Sequence, residues 1–174
     1  MKQKSRATRY SEAISEIGIL RDTFENMQTA LNDVGEAIET KDVAETADEK
    51  LDAITTLGDK IAVAEKIIAE NSGAFDEIDS GVFEELRDEL QNWRDNLPEN
   101  LQSSSKADTL DESVSSLEEV IQFVEDITSA SGDFSGASGF EAEAVQTRLD
   151  ALETAIENID NLECTDVEFP GMFG

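Results

Sequence analysis

Tyr10, Ile17, Phe24, Leu31 and Ile38 recur every seven residues, and Ala13, Leu20, Met27 and Val34 fill the position three residues further on. An apolar residue at every a and d position over about four heptads demands a long helix whose seam other helices cover. A helix of about 30 residues is on the order of 45 Å long, so the fold is expected to be elongated. Gly18 and Gly35 lie off the seam.

The register fails after Ile38, and the stretch from Glu39 to Lys50 is polar. Two helix-start signals stand there, Asp42 with Glu45 and Thr46 with Glu49, each spaced like a capping box. Apolar spacing then resumes at Ile54, Leu57, Ile61, Ala64 and Ile68. This predicts a turn near Thr40 and a second helix folding back on the first, so that 10–71 form a long helical hairpin. Ser80 is the expected N-cap of a third helix carrying Phe83, Leu86, Leu90 and Trp93, which Pro98 ends. A fourth helix follows on Leu110, Val114, Leu117, Ile121 and Val124, and 80–128 thus read as a helical pair. Ser129 to Gly139 (SASGDFSGASG) has the composition of a flexible linker, 129–139. A C-terminal helix over 140–163 uses Val145, Leu149, Leu152, Ile156 and Ile159. No strand-like alternation appears. The expected fold is all-α, an elongated antiparallel, coiled-coil-like bundle of about five helices with no sheet.

Charge decides which functions fit. Thirteen Lys and Arg stand against 41 Asp and Glu, for a net charge of −28. Lys2, Lys4, Arg6 and Arg9 fall within 1–9, a stretch free of acids and expected to be a flexible basic arm. From Ala107 onward the only basic residue is Arg148. Such a body repels nucleic acid and anionic lipid and attracts basic surfaces. The acidity is consistent with a solubilising surface, with adaptation to high salt, or with a functional surface that holds a basic partner or imitates a phosphate backbone. Candidate acids for that surface are Glu118, Glu119, Glu125, Asp126, Glu153 and Glu157.

Chemistry is poorly served. Histidine is absent and Cys164 is the sole cysteine, which removes Ser-His and Cys-His nucleophile arrangements and any intrachain disulfide. Adjacent carboxylates such as Glu84/Glu85 and Glu118/Glu119 share one solvated environment, whereas paired catalytic acids need unlike ones. Asp76 to Arg87 (DEIDSGVFEELR) looks like a calcium loop but puts Ile78 and Arg87 where two oxygen ligands belong. The expectation is a non-enzymatic protein without cofactor or metal. No apolar run is long enough to span a membrane, and none follows the basic N-terminus as a secretory signal requires, so a cytoplasmic location is expected.

The segment 164–174 (CTDVEFPGMFG) ends in apolar residues where termini are usually polar. Phe169, Pro170, Met172 and Phe173 form a tail expected to dock, either on its own bundle or on a partner or neighbouring protomer. The seam Tyr10, Ile17, Leu20, Phe24, Met27, Leu31, Val34 and Ile38 serves either as bundle core or as an oligomer contact.

Trp93 to Gln102 (WRDNLPENLQ) and Glu168 to Gly174 (EFPGMFG) resemble segments of small acidic bacteriophage-encoded proteins. The resemblance implies a viral setting, an infected bacterial cytoplasm or a virion, and carries over no catalytic residue. The leading expectation is an acidic helical interaction protein, a homo-oligomer, binding a basic protein surface without direct nucleic-acid or membrane binding. The alternatives are a nucleic-acid mimic that inhibits a DNA-binding host defence or restriction protein, and a virion or scaffolding component.

Overall fold

The computed structural model describes residues 4–171, so Lys2, Met172 and Phe173 lie outside the described residues. The six α-helices are α1 (Arg6–Gly18), α2 (Leu20–Val43), α3 (Ala47–Asn71), α4 (Gly81–Asp95), α5 (Ser105–Gly136) and α6 (Ala142–Cys164). Single 3-10 turns sit at Ala74–Glu77 and Glu99–Leu101, and no strand occurs among the described residues. The fold is an all-α bundle. Four helices are long, with 24, 25, 32 and 23 residues in α2, α3, α5 and α6, where the sequence suggests about five. The expected first helix is divided at Ile19, and α4 is short because the chain turns ahead of Pro98.

The heptad seam is the core of the chain itself. Ile17, Leu20, Phe24, Met27, Leu31, Val34 and Ile38 are buried, and Tyr10 is half-buried at the upper end. Helix α2 packs against α3 and α6, and its seam joins one core with Leu110, Leu117, Val120, Val124 and Ile127 of α5 and Leu152, Ala155, Ile159 and Leu162 of α6. Phe75, on the turn after α3, sits 4.5 Å from Phe24 and 5.6 Å from Phe134, centroid to centroid. Each such side chain taken fully out of water contributes roughly 1.5–3 kcal/mol.

Side-chain pairs set the register. Arg21 bonds Asp160 at 2.6 Å, and Gly35 lies opposite Val145, so α6 runs antiparallel to α2. The absence of a side chain at Gly18 leaves room for the Glu163 carboxylate. Helix α5 pairs with α6 and α4, and α1 closes onto α4 and α6. One end of the molecule is therefore a ring of α1, α4, the first half of α5 and the second half of α6. At the other end α3 packs on α2, and its only buried residues are Ala53 and Ala64.

Several local expectations are corrected. The stretch 129–139 is not a linker: α5 continues to Gly136, because Ala130 and Phe134 extend its buried stripe and the small residues between them face outward. The 1–9 arm is not free over its described part, since Ser5 caps α1 by accepting from the Thr8 N–H at 3.1 Å. Arg6 donates to Glu89 at 2.8 Å, and Arg9 to Glu89 and Glu85 at 2.6 and 2.9 Å. The turn lies at Ala44–Glu45 rather than near Thr40, because the Thr46/Glu49 capping box is the one that forms. Ser80 does not cap α4 with its side chain. Its hydroxyl donates to Glu84 at 2.6 Å, while Asp79 accepts from the Gly81 N–H at 3.0 Å.

Beyond Cys164 the chain forms an extended strap across the closed end. The Tyr10 hydroxyl donates to the Thr165 carbonyl at 2.8 Å, and Val167 is only 7% exposed. Ser113, the one buried polar side chain among the described residues, shares its hydroxyl hydrogen between the carbonyls of Thr109 and Glu168. Phe169 packs on Tyr10, with ring centroids 5.7 Å apart.

Candidate functional site

Helix α5 carries Glu112, Glu119, Asp126 and Asp133 at seven-residue intervals, and α6 carries Glu143, Asp150 and Glu157 in the same way. Seven residues of helix rise about 10.5 Å and fall about 20° short of two full turns, so each set forms a slowly winding row with that repeat. Asp126, Asp133 and Asp150 line one trough between the two helices, about 360 Å³ in volume. Its floor is Ser129, Ala130, Thr147, Ala151 and Thr154, and Asp133 and Glu143 line its continuation toward the α5–α6 turn. The helices are antiparallel, so Asp126 and Asp133 from one row and Glu143 and Asp150 from the other flank a shallow trough with small residues at its base, while Glu112, Glu119 and Glu157 continue the rows beyond it.

None of these seven carboxylates makes an ion pair among the described residues. The Asp126 carboxylate accepts from the Gln122 side chain at 2.9 Å, and the Asp150 carboxylate from the Gln146 side chain at 2.7 Å. The one basic residue of this half, Arg148, is turned inward. It donates to the carbonyls of Ala137 and Gly139, and lies over the rings of Phe134 and Phe140 at 5.7 and 5.3 Å. Burial lowers the pKa of Arg148 from its ordinary value, and its Nε has no hydrogen-bond partner. The α5–α6 turn thus consumes the only cation that could have neutralised the trough.

The six acids expected from sequence are not gathered together. Asp126 lines the trough, and Glu119 and Glu157 stand one seven-residue step from Asp126 and Asp150 on the same helices. Glu118 and Glu125 turn toward α4, where Glu118 acts on Arg87 and Glu125 lines a hollow with Ser80 and Ile78. Glu153 is about 60° around α6 from Asp150, given 100° per residue. Glu112, Asp133, Glu143 and Asp150 lie outside that set of six, and their seven-residue spacing from its members is the signal the sequence carries for them.

The other end is electrostatically different. Lys4 pairs with Glu12 at 2.6 Å, Arg94 with Asp111 at 2.8 Å, and Arg6 and Lys106 lie over the Trp93 ring at 5.4 and 4.8 Å. Burial opposes ionisation of Glu89, but hydrogen bonds from Arg9 and Arg6 outweigh it and hold the carboxyl below its ordinary value. Burial, with Asp166 nearby, pushes the Tyr10 phenol up to about 12. Of the expected docking tail, Phe169 packs against the core and Pro170 is partly buried beside it. Both line a cleft with Lys4, Arg6 and Arg9.

Among the described residues no group of three or more carboxylate or thiol ligands is placed to hold a metal ion, and no helix is long and apolar enough to cross a membrane. Comparison with protein-family models, with characterised proteins and with solved structures finds no match to this chain.

Proposed function

We propose that this protein is a non-enzymatic interaction protein whose α5–α6 trough receives a basic surface of a protein partner. The observation that carries the reading is the pair of uncompensated acidic rows with a helix-matched repeat of about 10.5 Å. A partner helix with Lys or Arg every seven residues repeats at the same interval, so successive cations meet successive carboxylates, as at the e and g positions of coiled coils. Small residues on the floor allow close approach. The net charge of −28 adds long-range attraction, which raises association rates more than affinity.

The nucleic-acid-mimic alternative fits the spacing less well, because a B-form strand presents a phosphate every 3.4 Å or so along its axis. The bacteriophage setting, in host cytoplasm or virion, belongs to the same proposal and rests on the two segments that suggested it. The seam gives no support to self-association, since its apolar residues are occupied within one chain.

The test uses two synthetic helices of equal composition on an Ala/Gln background, one with Lys every seven residues and one scrambled. Calorimetry at low salt is expected to show the periodic helix binding more tightly. Glu119→Gln, Asp126→Asn, Asp133→Asn and Asp150→Asn together are expected to abolish the difference. Equal binding of both helices to the unaltered protein would remove the proposal.

A further inference from the structure

The end of the α2–α3 hairpin reaches beyond the body. With Arg21 opposite Asp160 and Gly35 opposite Val145, the first residue of α6, Ala142, falls level with about residue 38 of α2. Helix α2 has no buried residue after Ile38, and α3 has none before Ala53. Three of the six large apolar side chains exposed on the described surface lie in this short stretch: Val43 at 75%, Leu51 at 65% and Ile54 at 57%.

On one flank of the projecting end the two helices leave a cleft of about 560 Å³. Ala37, Val43, Ala44 and Ala53 give it an apolar floor, with Thr40 and Thr56 at its sides. Glu45, Glu49 and Asp52 form its rim. From Glu39 to Ile54 the chain has six acids (Glu39, Asp42, Glu45, Asp48, Glu49, Asp52) and two basic residues (Lys41, Lys50), a balance of −4. An apolar floor under an acidic rim suits side chains with an aliphatic stem and a cationic head, which bury the stem and keep the charge at the edge.

We infer that this cleft anchors a cationic amphipathic helix, taking its apolar residues on Val43 and the alanine floor and its Lys or Arg heads on Glu45 and Asp52. The inference rests on the proposed basic partner and adds to it a second contact of a different physical kind. A second copy of this chain is the poorer occupant, because it would bring another −4 to the same place. Rows of carboxylates attract from a distance and weaken with salt. An apolar anchor resists salt and governs how slowly the complex dissociates.

The experiment compares the periodic Lys helix on an Ala/Gln background with the same helix bearing a leucine stripe, each titrated into the full chain at low and moderate salt. The leucine-striped helix is expected to bind at least fivefold more tightly and to keep that advantage as salt rises. Val43→Ser, at an exposed position, and Thr56→Trp, which fills the cleft from its side, are each expected to erase the advantage while leaving the Ala/Gln helix unaffected. An unchanged advantage in both variants overturns the inference and leaves the trough proposal standing. Loss of the advantage on Leu51→Ser with Ile54→Ser, but not in the first two variants, also overturns it, by moving the contact to the other flank. Binding of the leucine-striped helix alone, sensitive to Val43→Ser, supports the cleft and removes the trough. A dimer in light scattering that Val43→Ser dissociates assigns the cleft to a second copy and overturns the inference.

Discussion

Deleting Thr165 to Gly174 removes the strap and asks whether the bundle needs it. The deletion uncovers the site of Val167, whose burial is worth about 1.5–3 kcal/mol if complete. It also leaves Tyr10 without its bond to the Thr165 carbonyl, a further ~1 kcal/mol. Ser113 keeps the Thr109 carbonyl as an acceptor, so it adds little. Part of the Phe169 ring surface is lost as well, for a total of about 3–5 kcal/mol. For a chain of this length each kcal/mol shifts the melting temperature by roughly 2–4 °C, so a fall of about 6–20 °C is expected. Circular dichroism at 222 nm, followed through a thermal and a urea transition, measures both helicity and midpoint. Helicity at low temperature is expected to stay nearly constant, since 165–171 are not helical. A fall of less than about 3 °C would refute the reasoning and return the strap to the role of a free docking segment.

Other perturbations test separate features. Folding holds the Tyr10 phenol neutral up to about 12, above its ordinary value of 10.0, so its contribution is intact below pH 10 and is lost as pH rises toward 12. Phenolate absorbance is expected to rise near pH 12 in the folded chain. Glu89 is held below its ordinary value of 4.5, so its contribution is present above that pH and is lost as pH falls below it. Glu89→Gln is therefore expected to destabilise the protein by on the order of 1 kcal/mol or less at pH 7 and by nothing once Glu89 is protonated, as urea midpoints at several pH values would show. Replacing Arg148 with Met removes two donors to the α5–α6 turn, at about 1–3 kcal/mol, and is expected to speed hydrogen exchange near Ala137 to Gly139. Raising sodium chloride from about 0.01 to 0.5 M is expected to raise the melting temperature of the unaltered chain, because the acidic rows repel one another.

The seam from Tyr10 to Ile38 was legible because every one of its heptad positions is apolar, and a bundle core needs nothing more specific. The Thr46/Glu49 capping box was legible for a similar reason, as its signal is local. What escaped was long-range or averaged away. Arg6 and Arg9 look like a free arm until Glu89 arrives from 80 or more residues away. Ser129 to Gly136 reads as a linker by composition, yet Ile127, Ala130 and Phe134 continue the core stripe through it. The trough acids are spaced by seven in the sequence, but so many acids line both helices that the repeat does not stand out until the helices are packed. The cleft beside Val43 depends on where α5 and α6 stop, which no local pattern in 39–54 records.

The alanine contact between α2 and α3 has a consequence for how this chain can vary over generations. Ala53 and Ala64 are the fully buried residues of α3, and Leu57, Ile61, Ile67 and Ile68 pack on the core beside them, so α3 is anchored from Ala53 onward and not through 47–52. Substitutions on the outer surface of the hairpin's end therefore leave the aromatic and leucine packing untouched. The proposed recognition surface and the scaffold are separable, and selection can retune one without first repairing the other.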